Sequence, residues 1–133
     1  MLLSIPLLIL AVGLYNILAL TAGPSVDAPA LSLTLPSGTL LPLSYGDLLV
    51  ILGLVLLFVE IFKATRTGTA SIIDHLLSVG LFVFCLIELI LFPAFGTTIF
   101  LFLTLMTLID VVAGFTVTIS TARRDIGLDE AIR

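Results

Sequence analysis

The 133-residue chain contains no tryptophan, one cysteine (Cys85) and one histidine (His75). A single cysteine excludes an internal disulfide and any multi-cysteine metal site, and a lone histidine leaves no imidazole cluster to hold a metal. Charge is scarce: Asp, Glu, Lys and Arg make up 11% of residues, less than half of the roughly 25% found in soluble domains. Five Lys and Arg against nine Asp and Glu give a net charge of -4, with no basic tract for nucleic acid. Neither standard glycine-rich phosphate loop occurs. What is present is hydrophobic: 60% of residues, with a mean hydropathy of +1.37. So little charge cannot cover the surface of a soluble domain of this size. Residues 1–133 therefore read as one compact domain in a lipid bilayer, without metal or other cofactor.

Four apolar runs divide the chain. Residues 2–20 carry no charge; 48–62 carry Glu60 and extend to Tyr45 and Ala64; 72–92 carry Asp74, His75 and Glu88; 99–119 carry Asp110. A helix of about 20 residues crosses the hydrocarbon layer, and helices satisfy their own backbone there. The expectation is an all-α membrane protein, an antiparallel bundle of four transmembrane helices near 2–20, 46–64, 72–92 and 98–120. The first run lacks a basic leading region and a small-x-small cleavage site, so it reads as a retained helix. The basic residues fall in two places: Lys63 and Arg66 after the second run, and Arg123, Arg124 and Arg133 after the fourth. Two crossings separate these places, so they share a side, and segments 21–44 and 93–98 carry no Lys or Arg. The positive-inside rule then puts both termini, loop 65–71 and tail 121–133 in the cytoplasm. Without tryptophan, an interfacial aromatic belt would have to use Tyr15 and Tyr45.

In the outer segment 21–44, Leu31, Leu33 and Leu35 alternate with Ser32 and Thr34, then Pro36-Ser37-Gly38 precedes a second apolar run through Leu40, Leu41 and Leu43. The pattern predicts a short periplasmic β-hairpin held to an edge role by its prolines, with an irregular loop as the alternative. An isolated hairpin is marginal in water, so its leucines should rest on the helix ends, the lipid interface or another protein. Gly68 is the expected break of the inner connection, and Pro93 and Gly96 punctuate the outer one. Ser44-x-x-Asp47 and Ser71-x-x-Asp74 fit capping boxes opening the second and third helices. The Lys and Arg residues suit helix ends by the dipole. His75, beside Asp74, reads as an interfacial side chain.

Three carboxylates remain. Glu60 lies at the wrong end of its helix for an acid, and Lys63 three residues on is its expected partner. Glu88 lies toward the outer side, where no Lys or Arg exists. Asp110 sits near mid-bilayer, where a charge costs at least ~2.5–3.5 kcal/mol on insertion scales. A cation for Asp110 would have to come from another chain; otherwise hydrogen bonds must hold it. Helical spacing puts Thr104, Thr107, Asp110, Gly114 and Thr118 on one face, and Asp74, Ser78, Leu81, Cys85 and Glu88 on one face of the preceding helix. Gly114 and Thr118 form a small-xxx-small pair for close approach. Folding the last two helices back at Phe95 separates Glu88 and Asp110 by about 12 Å in depth. They should not pair. Gly80 falls level with Asp110 and leaves room for a water or a foreign side chain, and Asn16 falls near Glu88. The acids can thus be held by Thr107 and its neighbours, Asn16 and waters, meet a partner chain, or form a proton or ion pathway.

Two stretches carry a resemblance. Glu60-Ile61-Phe62-Lys63-Ala64-Thr65-Arg66-Thr67-Gly68-Thr69-Ala70-Ser71-Ile72-Ile73-Asp74-His75 is the first. The second is Leu108-Ile109-Asp110-Val111-Val112-Ala113-Gly114-Phe115 with Ala122-Arg123-Arg124-Asp125. In these the chain resembles a family of small, uncharacterised four-helix inner-membrane proteins of Gram-negative bacteria. The resemblance implies the bacterial inner membrane and brings no catalytic residues. Small multidrug transporters are also four-helix proteins of similar length, but their signature acid lies in the first helix, which here has none. An intramembrane enzyme would need a nucleophile and a base, and Cys85 lies about 15 Å along the helix from His75. The expected function is a non-enzymatic accessory, assembly or scaffold subunit. Its partners would be the lipid bilayer and other membrane-protein subunits, or further copies in a homo-oligomer. The alternative is a small proton-coupled carrier or channel using Asp110 and Glu88.

Overall fold

The computed structural model describes residues 5–21, 25–65 and 69–131; the side chains of 69–71, 118 and 121–131 are not described. In chain order come α1 (Leu8–Leu20), β1 (Pro29–Thr34), β2 (Leu40–Ser44), α2 (Tyr45–Ala64), α3 (Thr69–Leu91) and α4 (Thr98–Ala131), with a 3-10 turn at Pro93–Phe95. The four helices and the hairpin follow the expected order. Arg66, Gly68 and Arg133, the start of the first run at residues 2–4, and the side chains of Ser71, Thr118, Arg123 and Arg124 lie outside the described residues.

Three boundaries differ from the sequence expectation. α1 begins at Leu8 and has 13 residues, about 20 Å. Pro6 holds Ile5 out of the helical region and has no amide to donate, so it sits just before the first turn. α1 alone is therefore short of a membrane's thickness. Among the described residues, three helices are long and apolar enough to cross one: Tyr45–Ala64, Ile72–Leu91 and Thr98–Val117. α3 is already helical at Thr69, before the proposed Ser71 cap. α4 has 34 residues, about 51 Å, so the tail stays helical through Ala131. That tail has no proline to interrupt it, and its Ala, Arg and Leu residues propagate a helix well.

α4 is the central helix and packs against α2, α3 and, less extensively, α1. The buried face of α2 is Gly46, Leu49, Gly53, Leu57 and Glu60, a 3-4-4-3 spacing. At Gly53 an added Cβ would lie 2.8 Å from the Met106 sulfur and 3.0 Å from Leu103, so α2 and α4 approach closely there. The outward faces are apolar: Leu54, Phe58, Phe62, Leu76, Phe84, Ile90, Val112 and Phe115 are all exposed. Water does not tolerate so continuous an apolar surface, and hydrocarbon does.

β1 and β2 pair antiparallel, with Leu31 opposite Leu43, Leu33 opposite Leu41 and Thr34 opposite Leu40. Gly38, at φ 82°, takes the left-handed conformation the turn requires. Leu31, Leu33, Leu35, Leu40 and Leu41 all remain exposed, so the leucines do not rest on the helix ends. β2 runs straight into α2 through the expected capping box. Asp47 donates its amide to Ser44 Oγ at 3.0 Å, and the Ser44 amide returns a bond to Asp47 Oδ2 at 2.8 Å. Tyr15 is no belt residue. Its ring is fully buried between Phe95 and Phe100, and its hydroxyl lies 2.6 Å from Thr97 Oγ1. The outer turn between α3 and α4 folds over it, leaving Tyr45 exposed.

Candidate functional site

Glu60, 1% exposed, accepts hydrogen bonds from Lys63 and from the Leu7 backbone amide. An acid is misplaced at the carboxyl end of its own helix. Here it stands over the amino end of α1, where free amides and the positive end of the dipole favour a carboxylate. The Lys63 ammonium lies 2.9 Å from Glu60 Oε2 and 3.0 Å from Asp74 Oδ1, and donates to the Ile5 carbonyl at 2.8 Å. The expected Glu60–Lys63 pair is present, and it also joins the start of α1 to α2 and α3.

Asp74 is thus not a cap. It is 8% exposed and turned toward Lys63, whose ammonium lies 3.0 Å from Oδ1. His75 packs against α4. Its ring fills the seam between α3 and α4, occupying the place a Cβ on Gly114 would take, and meets Phe115 edge-on at 5.2 Å. His75 Nε2 is buried and has no hydrogen-bond partner among the described residues.

Asp110 is 4% exposed. Ser78 stands beside its carboxylate, with Lys63, His75 and Asp74 in electrostatic reach. Lys63 itself is engaged with Glu60, Asp74 and the Ile5 carbonyl. Gly80 is exposed, with open space where an added Cβ would lie, and lines the groove between α1 and α3. The threonines do not hold the acid. Thr107 donates to the Thr104 carbonyl at 2.7 Å and Thr104 to the Phe100 carbonyl at 2.9 Å, so both hydroxyls are spent on their own helix.

At the other end, Asn16 donates to Glu88 Oε2 at 3.2 Å and to the Val12 carbonyl at 3.1 Å, as its depth predicted. Between the ends lies Cys85, fully buried, beside Thr107 and in electrostatic reach of Glu88. The predicted faces are therefore correct: Asp74, Ser78, Leu81, Cys85 and Glu88 are all buried, as are Thr104, Thr107, Asp110 and Gly114. They form a polar column. It runs from Glu60, Lys63 and Asp74 through Asp110 and Ser78, then Thr107 and Cys85, to Glu88 and Asn16. Among the described residues no three His, Cys, Asp or Glu side chains are placed to hold a metal.

Sequence reasoning placed Ser78 on this face without assigning it to Asp110, and missed the backbone groups of Ile5 and Leu7, the Lys63–Asp74 pair and Gly53. Only Gly53 had a readable signal, the 3-4-4-3 spacing it shares with Gly46, Leu49, Leu57 and Glu60. Outside the column, α1 and α3 leave an open groove of about 570 Å³, lined by apolar residues such as Ile9 and Phe84 with Gly13, Asn16 and Gly80.

No protein family, curated protein or solved structure matches the chain. The resemblance therefore rests on its two stretches alone. Between them they contain Glu60, Lys63, Asp74, His75, Asp110 and Gly114.

Proposed function

We propose that the protein is a non-enzymatic accessory, assembly or scaffold subunit of the bacterial inner membrane, with both termini cytoplasmic. It works within a larger membrane complex or as a homo-oligomer. The observation that supports this reading is the Lys63 cluster: its ammonium and two acids are engaged with one another and with the start of α1, holding the bundle together. Among the described residues, the outward helix faces, the leucines of the hairpin and the α1–α3 groove offer apolar surface to other molecules. Purification in mild detergent at native expression tests it. Stoichiometric foreign subunits or a defined homo-oligomer is the expected result, and a lone monomer contradicts it. For the orientation, reporter fusions after Leu31 should read periplasm, and fusions after Thr67 and Arg133 cytoplasm. A periplasmic signal at Arg133 rejects the four-crossing topology.

The polar column favours a second reading, a small proton-coupled carrier or channel using Asp110 and Glu88. Ionisable groups buried within a bilayer commonly mark ion paths. Asp110→Asn separates the two readings, because Asn keeps the shape and hydrogen-bonding capacity of Asp but cannot ionise. Normal assembly, with no proton flux into liposomes from either form, is the expected outcome. Wild-type flux abolished in Asp110→Asn would promote the carrier.

A further inference from the structure

The two edges of the hairpin are not alike. The Leu35 amide donates to the Thr39 carbonyl at 2.9 Å, which starts the ladder at the turn. In an antiparallel pair, bonded and non-bonded positions alternate. Leu33 with Leu41 and Leu31 with Leu43 are therefore the bonded pairs, and Ser32 with Pro42 and Thr34 with Leu40 the non-bonded ones. Pro42, which has no N–H, fits only a non-bonded position. The N–H and C=O groups of Ser32 and Thr34 consequently point away from β2, along the free edge of β1. The free edge of β2 is blunted by Pro42. That of β1 has its one proline, Pro29, and its one irregularity only at its start, and no charge occurs from Ala28 to Gly46.

We propose that β1 pairs antiparallel with β1 of a second copy of this chain, about a two-fold axis through Leu33. The pairing rests on the homo-oligomer form of the function proposed above and continues the β1–β2 ladder into a four-stranded sheet. Ser32 of each copy faces Thr34 of the other, and this register uses every outward N–H and C=O of both residues. A slip of one residue would bring up Leu33 groups that already point into β2. The side chains are self-complementary in the same register. Leu33 meets Leu33, Leu31 meets Leu35, and Ser32 meets Thr34, so the leucines of both copies form one unbroken face. The charges that flank the hairpin, Asp27 and Asp47, lie well away from the axis, so like charges do not oppose one another there.

Cysteine cross-linking in native membranes tests this. The Cα atoms of a non-bonded antiparallel pair lie ~4.5 Å apart, within the ~4.4–6.8 Å that a disulfide spans. With an added oxidant, Leu33→Cys should give a covalent dimer, whereas Ser32→Cys, offset from its own copy along the strand, should not. The wild type should stay uncrosslinked because Cys85 is buried. Leu31→Cys mixed with Leu35→Cys should cross-link to each other. Adding Ser32→Pro to Leu33→Cys removes one outward donor per copy and leaves the hairpin's own ladder intact, so it should reduce the dimer about tenfold. Leu33 is exposed, so these variants keep the helical core. No dimer from Leu33→Cys, or equal cross-linking at Ser32→Cys, overturns the proposal. Cross-linking of Leu33→Cys to a foreign subunit overturns the second copy as occupant and leaves the accessory reading standing. A chain that stays monomeric and alone in the same membranes removes both.

Discussion

Lys63→Met is expected to be the most damaging single substitution at the inner end of the bundle. It leaves Glu60 and Asp74 facing each other at 1% and 8% exposure with their shared cation gone. Breaking a buried pair by removing one partner costs ~3–5 kcal/mol, since the remaining charge is neither solvated nor compensated. The backbone of α1 suffers as well, because the Ile5 carbonyl loses its donor. Unfolding in detergent micelles, followed by heat or denaturant, measures the loss. Glu60→Gln should cost less than Lys63→Met, because an amide oxygen can still accept the Leu7 amide. The double variant Glu60→Gln, Lys63→Met should be less unstable than the sum of its parts, which identifies the pair as coupled. A Lys63→Met protein within a few tenths of a kcal/mol of wild type would place this pair among solvent-exposed ones, which contribute only ~0–1 kcal/mol.

Gly114→Ala is expected to destabilise the protein despite alanine's better helix propensity. The propensity gain is at most ~1 kcal/mol. Against it, the new methyl group would occupy the same space as the His75 ring, which must then leave its place against Gly114 and Phe115. Overpacking of this kind costs ~1–3 kcal/mol, and a side chain in a helix seam has little room to move aside. The rescue is specific. His75→Ala should open the space, so Gly114→Ala with His75→Ala should be more stable than Gly114→Ala alone. Higher stability in the single Gly114→Ala variant would show that the ring does not sit on the glycine.

The interior acids follow from how helices are built and from how they are arranged, and these differ in legibility. Glu88 and Asn16 were matched from depth alone, because rise per residue is constant and both sit near the outer ends of their helices. Asp110 was not. Its environment depends on how α3 is rotated against α4, which brings Ser78 beside the carboxylate. Asp74 shows the same limit. Its sequence neighbourhood reads as a capping box, yet the helix starts earlier and the carboxylate finds a lysine across the bundle.

Sequence by itself determined the helical class, the order of elements, the hairpin with its turn at Gly38, the cap at Ser44 and the buried faces of α3 and α4. Each depends on a period or a contact within a few residues, written directly in the chain. Tertiary structure alone decided that Glu60 serves the amino end of α1 rather than only its own lysine, that Gly53 and Gly114 are the close approaches, and that Tyr15 is buried. Those outcomes depend on the rotation of each helix about its axis and on its offset along its neighbours. Neither quantity repeats along the sequence; both are set by how side chains from distant segments fill the shared core.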